Sequence, residues 1–118
     1  MPNYQTHLDS TFHALADPTR RAVIARLIEG PASVSELAEP FEMALPSLMQ
    51  HLKVLETGGL IRTQKTGRVR TCRLETARLG EAQDWLSKQK ALWETRLDRL
   101  DAYLRDMAAK ETPDDPQT

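Results

Sequence analysis

The chain has one cysteine, Cys72, among its 118 residues. That excludes an intrachain disulfide and any metal site built on a cysteine pair. Aromatic residues make up only 5% of the sequence, so aliphatic side chains must fill the core. No apolar run approaches the ~20 residues of a membrane span, and the N-terminus lacks the basic-then-apolar pattern of a signal peptide. A soluble protein with no membrane partner and a cytoplasmic address is the expectation. There is no Gly-rich phosphate loop, no nucleophile elbow and no histidine–carboxylate motif, so no catalysis and no cofactor are expected. Histidine is scarce as well: His7, His13 and His51 are the whole set. His7 and His13 are six apart and do not share a helix face as a metal clamp at i, i+4 would, so no metal site is expected.

What remains is ordinary in amount and uneven in placement. Hydrophobic residues make up 40% and charged residues 28%, with a formal net charge of −1. From Leu60 to Leu74 there are five basic residues (Arg62, Lys65, Arg68, Arg70, Arg73) and no acidic one, while acids gather at Glu36, Glu39 and Glu42 and in the tail at Glu111, Asp114 and Asp115. Alone, such a basic run reads equally well as a solvated strand face or as an anion-binding surface, and the neighbouring motifs must decide.

The chain reads as alternating helix starts and stops. Leu8, Phe12 and Leu15 mark a first helix over roughly residues 4–16. Asp17-Pro18 caps and opens a second, with Val23, Ile24, Leu27 and Ile28 as its apolar stripe and Gly30-Pro31 as its end. Ser33-Val34-Ser35-Glu36 fits a capping box, so a short third helix begins near Val34, buries Val34, Leu37, Ala38 and Phe41, and stops near Pro40. After a tight turn, "LPSLMQHLKVLET" forms a fourth helix that Gly58-Gly59 ends. "LIRTQKTGRVRTCRL" reads as two strands around the turn Lys65-Thr66-Gly67-Arg68. A last helix over about residues 77–109 carries Leu79, Leu86, Trp93, Leu100 and Met107 every seven residues, with Leu97 and Leu104 between the later ones. Residues 1–109 are expected to form a single domain, and the polar, proline-bearing end, 110–118, a disordered tail.

This order places a short helix, a tight turn, a polar-faced helix and a basic hairpin in succession. The fold class expected is mainly α with a small β-hairpin: a winged helix-turn-helix with a long C-terminal dimerisation helix. With Leu48, Leu52 and Leu55 inward, steps of 100° put Pro46, Gln50 and Lys53 nearly opposite, Ser47 and Met49 on the flanks, and His51 at the edge of the core face. A proline near the first turn sacrifices no helix bond and keeps the tip narrow. Gln50 can make two hydrogen bonds to an adenine edge, Ser47 can reach a base or a phosphate, and Lys53 is better placed for a phosphate. Arg68 and Arg70 on the hairpin suit a backbone or a minor groove. His51 reads either as a base contact or as a hydrogen-bonding residue beneath that face. Cys72 reads as a half-buried, inert thiol, with Arg70 and Arg73 near enough to lower its pKa as the other reading.

"ALADPTRRAVIARLIEGPASVSELAEPF" followed by "LPSLMQHLKVLETGGLIRTQKTGRVRTCRL" resembles the ArsR family of small bacterial winged-helix repressors. The Asp-Pro-Thr-Arg start, the Ser-Glu-Leu-Ala helix and His-Leu-x-x-Leu-x-x-x-Gly-Leu carry the likeness, over about residues 10–75. The resemblance implies a homodimer on operator DNA, with release by an inducer in many members, and places Ser47, Gln50 and His51 in a recognition helix and Arg68 and Arg70 in the wing. Three features depart from the family. Ala44 stands where a capping serine is common, Leu45 and Met49 stand where polar residues are common, and the third helix lacks the cysteine pair of the arsenic and cadmium sensors. The histidines that zinc sensors of the family carry on the last helix are also missing.

The expected partners are therefore double-stranded DNA and a second copy of the chain, joined through Leu8, Phe12, Trp93, Leu97, Leu100 and Leu104. A helix of ~30 residues is a rod of ~45 Å, longer than a domain of this size needs for its own core. Its early part, near Leu79 and Leu86, is expected to pack on its own chain. Two other readings stand beside this one. One is a sensor of an unknown small-molecule inducer with a pocket near Trp85 or Trp93. The other is a protein-interaction module that has lost DNA binding, against which the acid-free basic hairpin speaks.

Overall fold

A computed structural model describes residues 4–111. The elements run α1 (Tyr4–Leu15), α2 (Pro18–Ile28), β1 (Ala32–Ser33), α3 (Val34–Ala38), α4 (Leu45–Thr57), β2 (Ile61–Thr66), β3 (Val69–Leu74) and α5 (Ala77–Glu111). The chain divides into two compact units, one up to Gln83 and one from Asp84 onward. Helix α5 runs on through Lys110 and Glu111, two residues past the end expected for it. The rest of the expected tail, 112–118, lies outside the described residues.

In the first unit, local chemistry sets the boundaries. Asp17 sits in extended backbone before α2, and its Oδ2 accepts the Arg20 N–H at 3.1 Å while Pro18 opens the helix. Ser33 and Glu36 close the capping box of α3: Ser33 Oγ accepts the Glu36 N–H at 3.1 Å and Glu36 Oε1 accepts the Ser33 N–H at 2.8 Å. These bonds, the backbone one first and the hydroxyl second, hold the Glu36 carboxyl below its usual range. Helix α4 ends in a pair of reversed bonds, Leu60 N–H to the Leu55 carbonyl at 2.9 Å and Gly59 N–H to the Glu56 carbonyl at 3.0 Å. Gly59 has φ +76°, a backbone conformation that favours glycine, and a Cβ there would press on the Arg78 side chain at 3.0 Å.

The sheet has three strands, not the expected two. β1 pairs antiparallel with β3 (Ala32 opposite Cys72), giving the order β1-β3-β2. Two residues carry no periodicity, and Ser33 already serves as the cap of α3, so nothing local marks this strand. β2 and β3 pair from Ile61 opposite Leu74 to Thr66 opposite Val69, and Gly67, at φ +64°, makes the turn with Arg68.

One core joins these elements: Ala14 of α1, Val23, Ile24 and Leu27 of α2, Leu37 of α3, Leu48, Leu52 and Leu55 of α4, then Leu60, Ile61 and Cys72. Val34, Ala38, Phe41 and Met49 are only partly buried and pack against its edge. Ile28, expected in the stripe of α2, is 70% exposed. It lies 140° around the helix from Val23, in the last turn, beyond the face that Val23, Ile24 and Leu27 cover. Cys72 is fully buried rather than half-buried. The start of α5 belongs to this unit: Leu79 packs on the core, Ala82 is buried, and Arg78 Nη1 donates to the Gly58 carbonyl at 3.3 Å.

The second unit is a single helical stretch. Every large apolar side chain on it is at least a third exposed, including Leu86, which was expected to pack on its own chain. Its paired charges follow the helix itself: Arg105 with Asp101 at 2.7 Å and Lys110 with Asp106 at 3.1 Å, both i, i+4.

Candidate nucleic-acid interface

Burial of Leu48, Leu52 and Leu55 fixes the rotation of α4 and so decides what faces out. Pro46, Ser47, Gln50 and Lys53 are exposed, and Met49 and His51 are half-buried. The helix begins without a side-chain cap, because Ala44 offers none; the Ala44 carbonyl accepts the Ser47 and Leu48 N–H groups instead. Its first turn carries no acidic residue of its own to offset the positive end of the helix dipole.

Helix α4 and the hairpin share one groove. A hollow of about 510 Å³ is lined by Pro46, Met49, Gln50, Leu52, Lys53 and Glu56 of α4 and by Thr63 and Arg70 of the hairpin. A smaller one, about 280 Å³, lies on the other flank between α1 and α4 and is lined by Ser10, His13, Gln50, Lys53, Val54, Thr57 and Gly58. Gln50 and Lys53 thus stand on a ridge between two hollows. Arg68 is exposed at the hairpin turn and does not line either hollow. Thr63 Oγ1 donates to Glu56 Oε2 at 2.8 Å, tying β2 to α4. That link escaped the sequence reading, since nothing local joins a threonine in a strand to a glutamate seven residues earlier.

His51 sits under the ridge. Its Nδ1 lies 3.1 Å from Arg20 Nη1 and 3.7 Å from Asp17 Oδ2. The Asp17 carboxyl is held below its usual range, first by the Arg20 N–H bond, against the opposing effect of burial, with His51 and the Thr19 N–H adding to the lowering. Cys72 is held back as a reactive group: burial pushes its thiol pKa up, Glu56 pushes the same way, and Arg70 pulls less strongly down.

The residues expected at a subunit interface divide. Leu8 is turned inward, 6% exposed, so it offers almost no surface to a second chain. Phe12 is 37% exposed. In the second unit Trp93 is 58% exposed, and Leu97, Leu100 and Leu104 are between 43% and 53% exposed. Trp85 and Trp93 both lie at the helix surface. His7 Nδ1 is 3.0 Å from Glu81 Oε1, and among the described residues no group of three or more His, Cys, Asp or Glu is placed to hold a metal ion. No described helix is long and apolar enough to cross a membrane.

A helix-turn-helix whose second helix is polar outward, followed by a basic hairpin against the same face, defines the winged helix-turn-helix class of regulators. A helix-turn-helix domain model matches residues 15–64. A crystal structure of an ArsR family transcriptional regulator superposes with a TM-score of 0.75 at 56% identity, covering 80% of this chain and 97% of that one. The HTH-type transcriptional regulator Rv2034 of Mycobacterium tuberculosis is 43% identical over 67 residues, 57% of this chain and 63% of that protein. The transcriptional repressor SdpR of Bacillus subtilis is 29% identical over 79 residues, 67% of this chain and 88% of that protein. The chain belongs to the ArsR family of transcriptional regulators. It spans less than two thirds of the length of the Mycobacterium relative.

Proposed function

We propose that the protein is a homodimeric repressor that binds a pseudo-palindromic operator in the cytoplasm, without catalysis and without a cofactor. The observation that carries this reading is the single groove in which the exposed face of α4 meets Arg70 of the hairpin. Such a face enters a major groove end-on, with Gln50 reading an adenine edge, Ser47 a base or phosphate, and Pro46 keeping the tip slim. Met49, at the flank, suits a thymine methyl, and His51 lies behind the readers. Lys53, Arg68 and Arg70 neutralise phosphates, and the uncapped start of α4 favours another. An acidic residue would oppose this work, and Glu56, the one carboxylate in the groove, is bonded to Thr63.

The dimer follows from the exposed stripe Trp93, Leu97, Leu100 and Leu104, which a second copy would cover about a two-fold axis. Two recognition helices would then meet successive major grooves about 34–36 Å apart. Selection of duplexes from a random pool, followed by protection mapping, tests the reading. The expected product is an inverted repeat with half-sites one helical turn apart. Recovery of no preferred sequence, with binding that is weak and uniform, would instead support an interaction module that has lost DNA recognition.

A further inference from the structure

Beneath the outward face of α4 lies a polar knot that takes no part in the contacts proposed above. Arg20 is its hub. Its Nε donates to the Ala14 carbonyl at 2.7 Å and its Nη2 to the His13 carbonyl at 3.1 Å, so it occupies two carbonyls at the open end of α1. Its Nη1 lies 3.1 Å from Nδ1 of His51 on α4. Its backbone N–H is held by Asp17, whose other neighbour, at 3.7 Å, is the same Nδ1. Two carbonyls at the end of α1 and one ring nitrogen on α4 therefore meet at the guanidinium of a single α2 residue, while Asp17 holds that residue's backbone.

The chemistry of this contact is one-sided. A guanidinium has only donors, so His51 Nδ1 must be the acceptor, which requires a neutral ring with its proton on Nε2. A proton on Nδ1 removes that lone pair and sets two cations 3.1 Å apart, while Asp17 Oδ2 gains a donor. Protonation therefore exchanges the partner of His51 from α2 to the corner before it. The charged groups facing the ring are Arg20 from α2 and Asp17 from the α1–α2 corner; His13, at the end of α1, enters through its carbonyl, and Lys53 on the ring's own helix is exposed. His51 is the immediate neighbour of Gln50, so a change in its anchoring reaches the outward ridge directly.

We propose that Arg20, Asp17 and His51 form a clasp that sets the orientation of the recognition helix, and that the clasp closes only on neutral His51, so that discrimination between DNA sequences falls in mild acid. These are positioning residues: they act through α4, not by touching a base. The DNA part of the proposal rests on the operator-binding reading; the free-protein part does not.

The test has two arms on the full chain. In the free protein, imidazole ¹⁵N spectra and amide protection across residues 45–57 are measured at pH 7.5 and 5.5. Nδ1 of His51 is expected unprotonated at pH 7.5, and protection in α4 is expected to fall roughly tenfold at pH 5.5, the size of one charge-assisted hydrogen bond. An Nδ1–H at pH 7.5, or protection that does not respond, overturns the clasp. In the second arm, a duplex selected from a random pool at pH 7.5 is compared with a scrambled duplex of equal length. The affinity ratio is expected to fall roughly tenfold between pH 7.5 and 5.5. His51→Asn keeps an acceptor that does not titrate, so its ratio becomes independent of pH over that range. Arg20→Ala has a low ratio at both pH values, and Arg20→Lys, which retains charge and fold but not the fork, lies between. An acid fall in His51→Asn equal to that of the wild type, or an Arg20→Ala protein that keeps the full ratio, overturns the proposal. If the pool yields no preferred duplex while α4 protection still falls in acid, the operator reading fails and the clasp stands.

Discussion

Helix α4 and the later part of α5 carry the same kind of apolar stripe and come to opposite ends. On α4, Leu48, Leu52 and Leu55 are closed into the core of the first unit. On α5, Trp93, Leu97, Leu100 and Leu104 remain open. The stripe on α4 is matched by neighbours from α1, α2 and β2 in its own chain, and that match is what turns Gln50 and Lys53 outward. The stripe on α5 from Asp84 onward is as regular but has no cover within its own unit. Apolar periodicity thus marks a face that wants burial, without saying whose atoms bury it.

The sharpest way to break this contrast is to charge the open stripe. Trp93→Glu with Leu97→Glu is expected to abolish self-association and specific DNA binding together while leaving the first unit folded, as sedimentation and far-UV spectra would report. Burying each such side chain contributes about 1.5–3 kcal/mol, so removing four per pair is a large loss. On the closed stripe the effect is confined to stability: Leu48→Ala should cost about 2–5 kcal/mol in denaturant unfolding. A smaller loss would mean that the core collapses onto the gap.

Between the two lies the outward ridge. Gln50→Ala is expected to relax the preference at one base pair per half-site by about 1–3 kcal/mol, with binding to random DNA nearly intact, which reselection from a random pool reads directly. Arg68→Ala with Arg70→Ala should instead weaken binding to all sequences alike and flatten the salt dependence by up to ~0.9 log units per lost phosphate contact. An unchanged slope would take the hairpin out of the interface. The smallest effect belongs to the caps. The carboxyls of Asp17 and Glu36 are held below their ordinary values of 3.8 and 4.5, so each favours folding fully above those values. That contribution is lost as pH falls through the lowered values, and Glu36→Gln should remove part of the acid dependence of the first unit's unfolding midpoint.

The two regions also differ in how far they could be read from sequence. Helix limits were legible where side chains act within three or four residues: Asp17 and Pro18 before α2, Ser33 and Glu36 at α3, Gly58 and Gly59 after α4. The inward face of α4 was legible for the same reason, since its period is local. Strand β1 was not, because Ala32 and Ser33 become a strand only by meeting Cys72 and Thr71. Leu8 and Phe12 look alike on a helical wheel, and only packing shows that one is covered and the other a third open. The contact of Arg20 with His51 joins residues 31 apart, and that of His7 with Glu81 joins residues 74 apart. No pattern in either segment announces such pairs.

We propose that two copies of the closed first unit act together on DNA, joined through the open stripe of α5. The most direct measurement is the number of chains on one selected duplex, taken by sedimentation of the complex for the wild type and for the Trp93→Glu, Leu97→Glu double variant. Two chains per duplex are expected for the wild type, and for the variant only weak binding that does not prefer the selected sequence. A wild type that binds the selected duplex as one chain, or a double variant that still binds it in pairs with undiminished affinity, would contradict it.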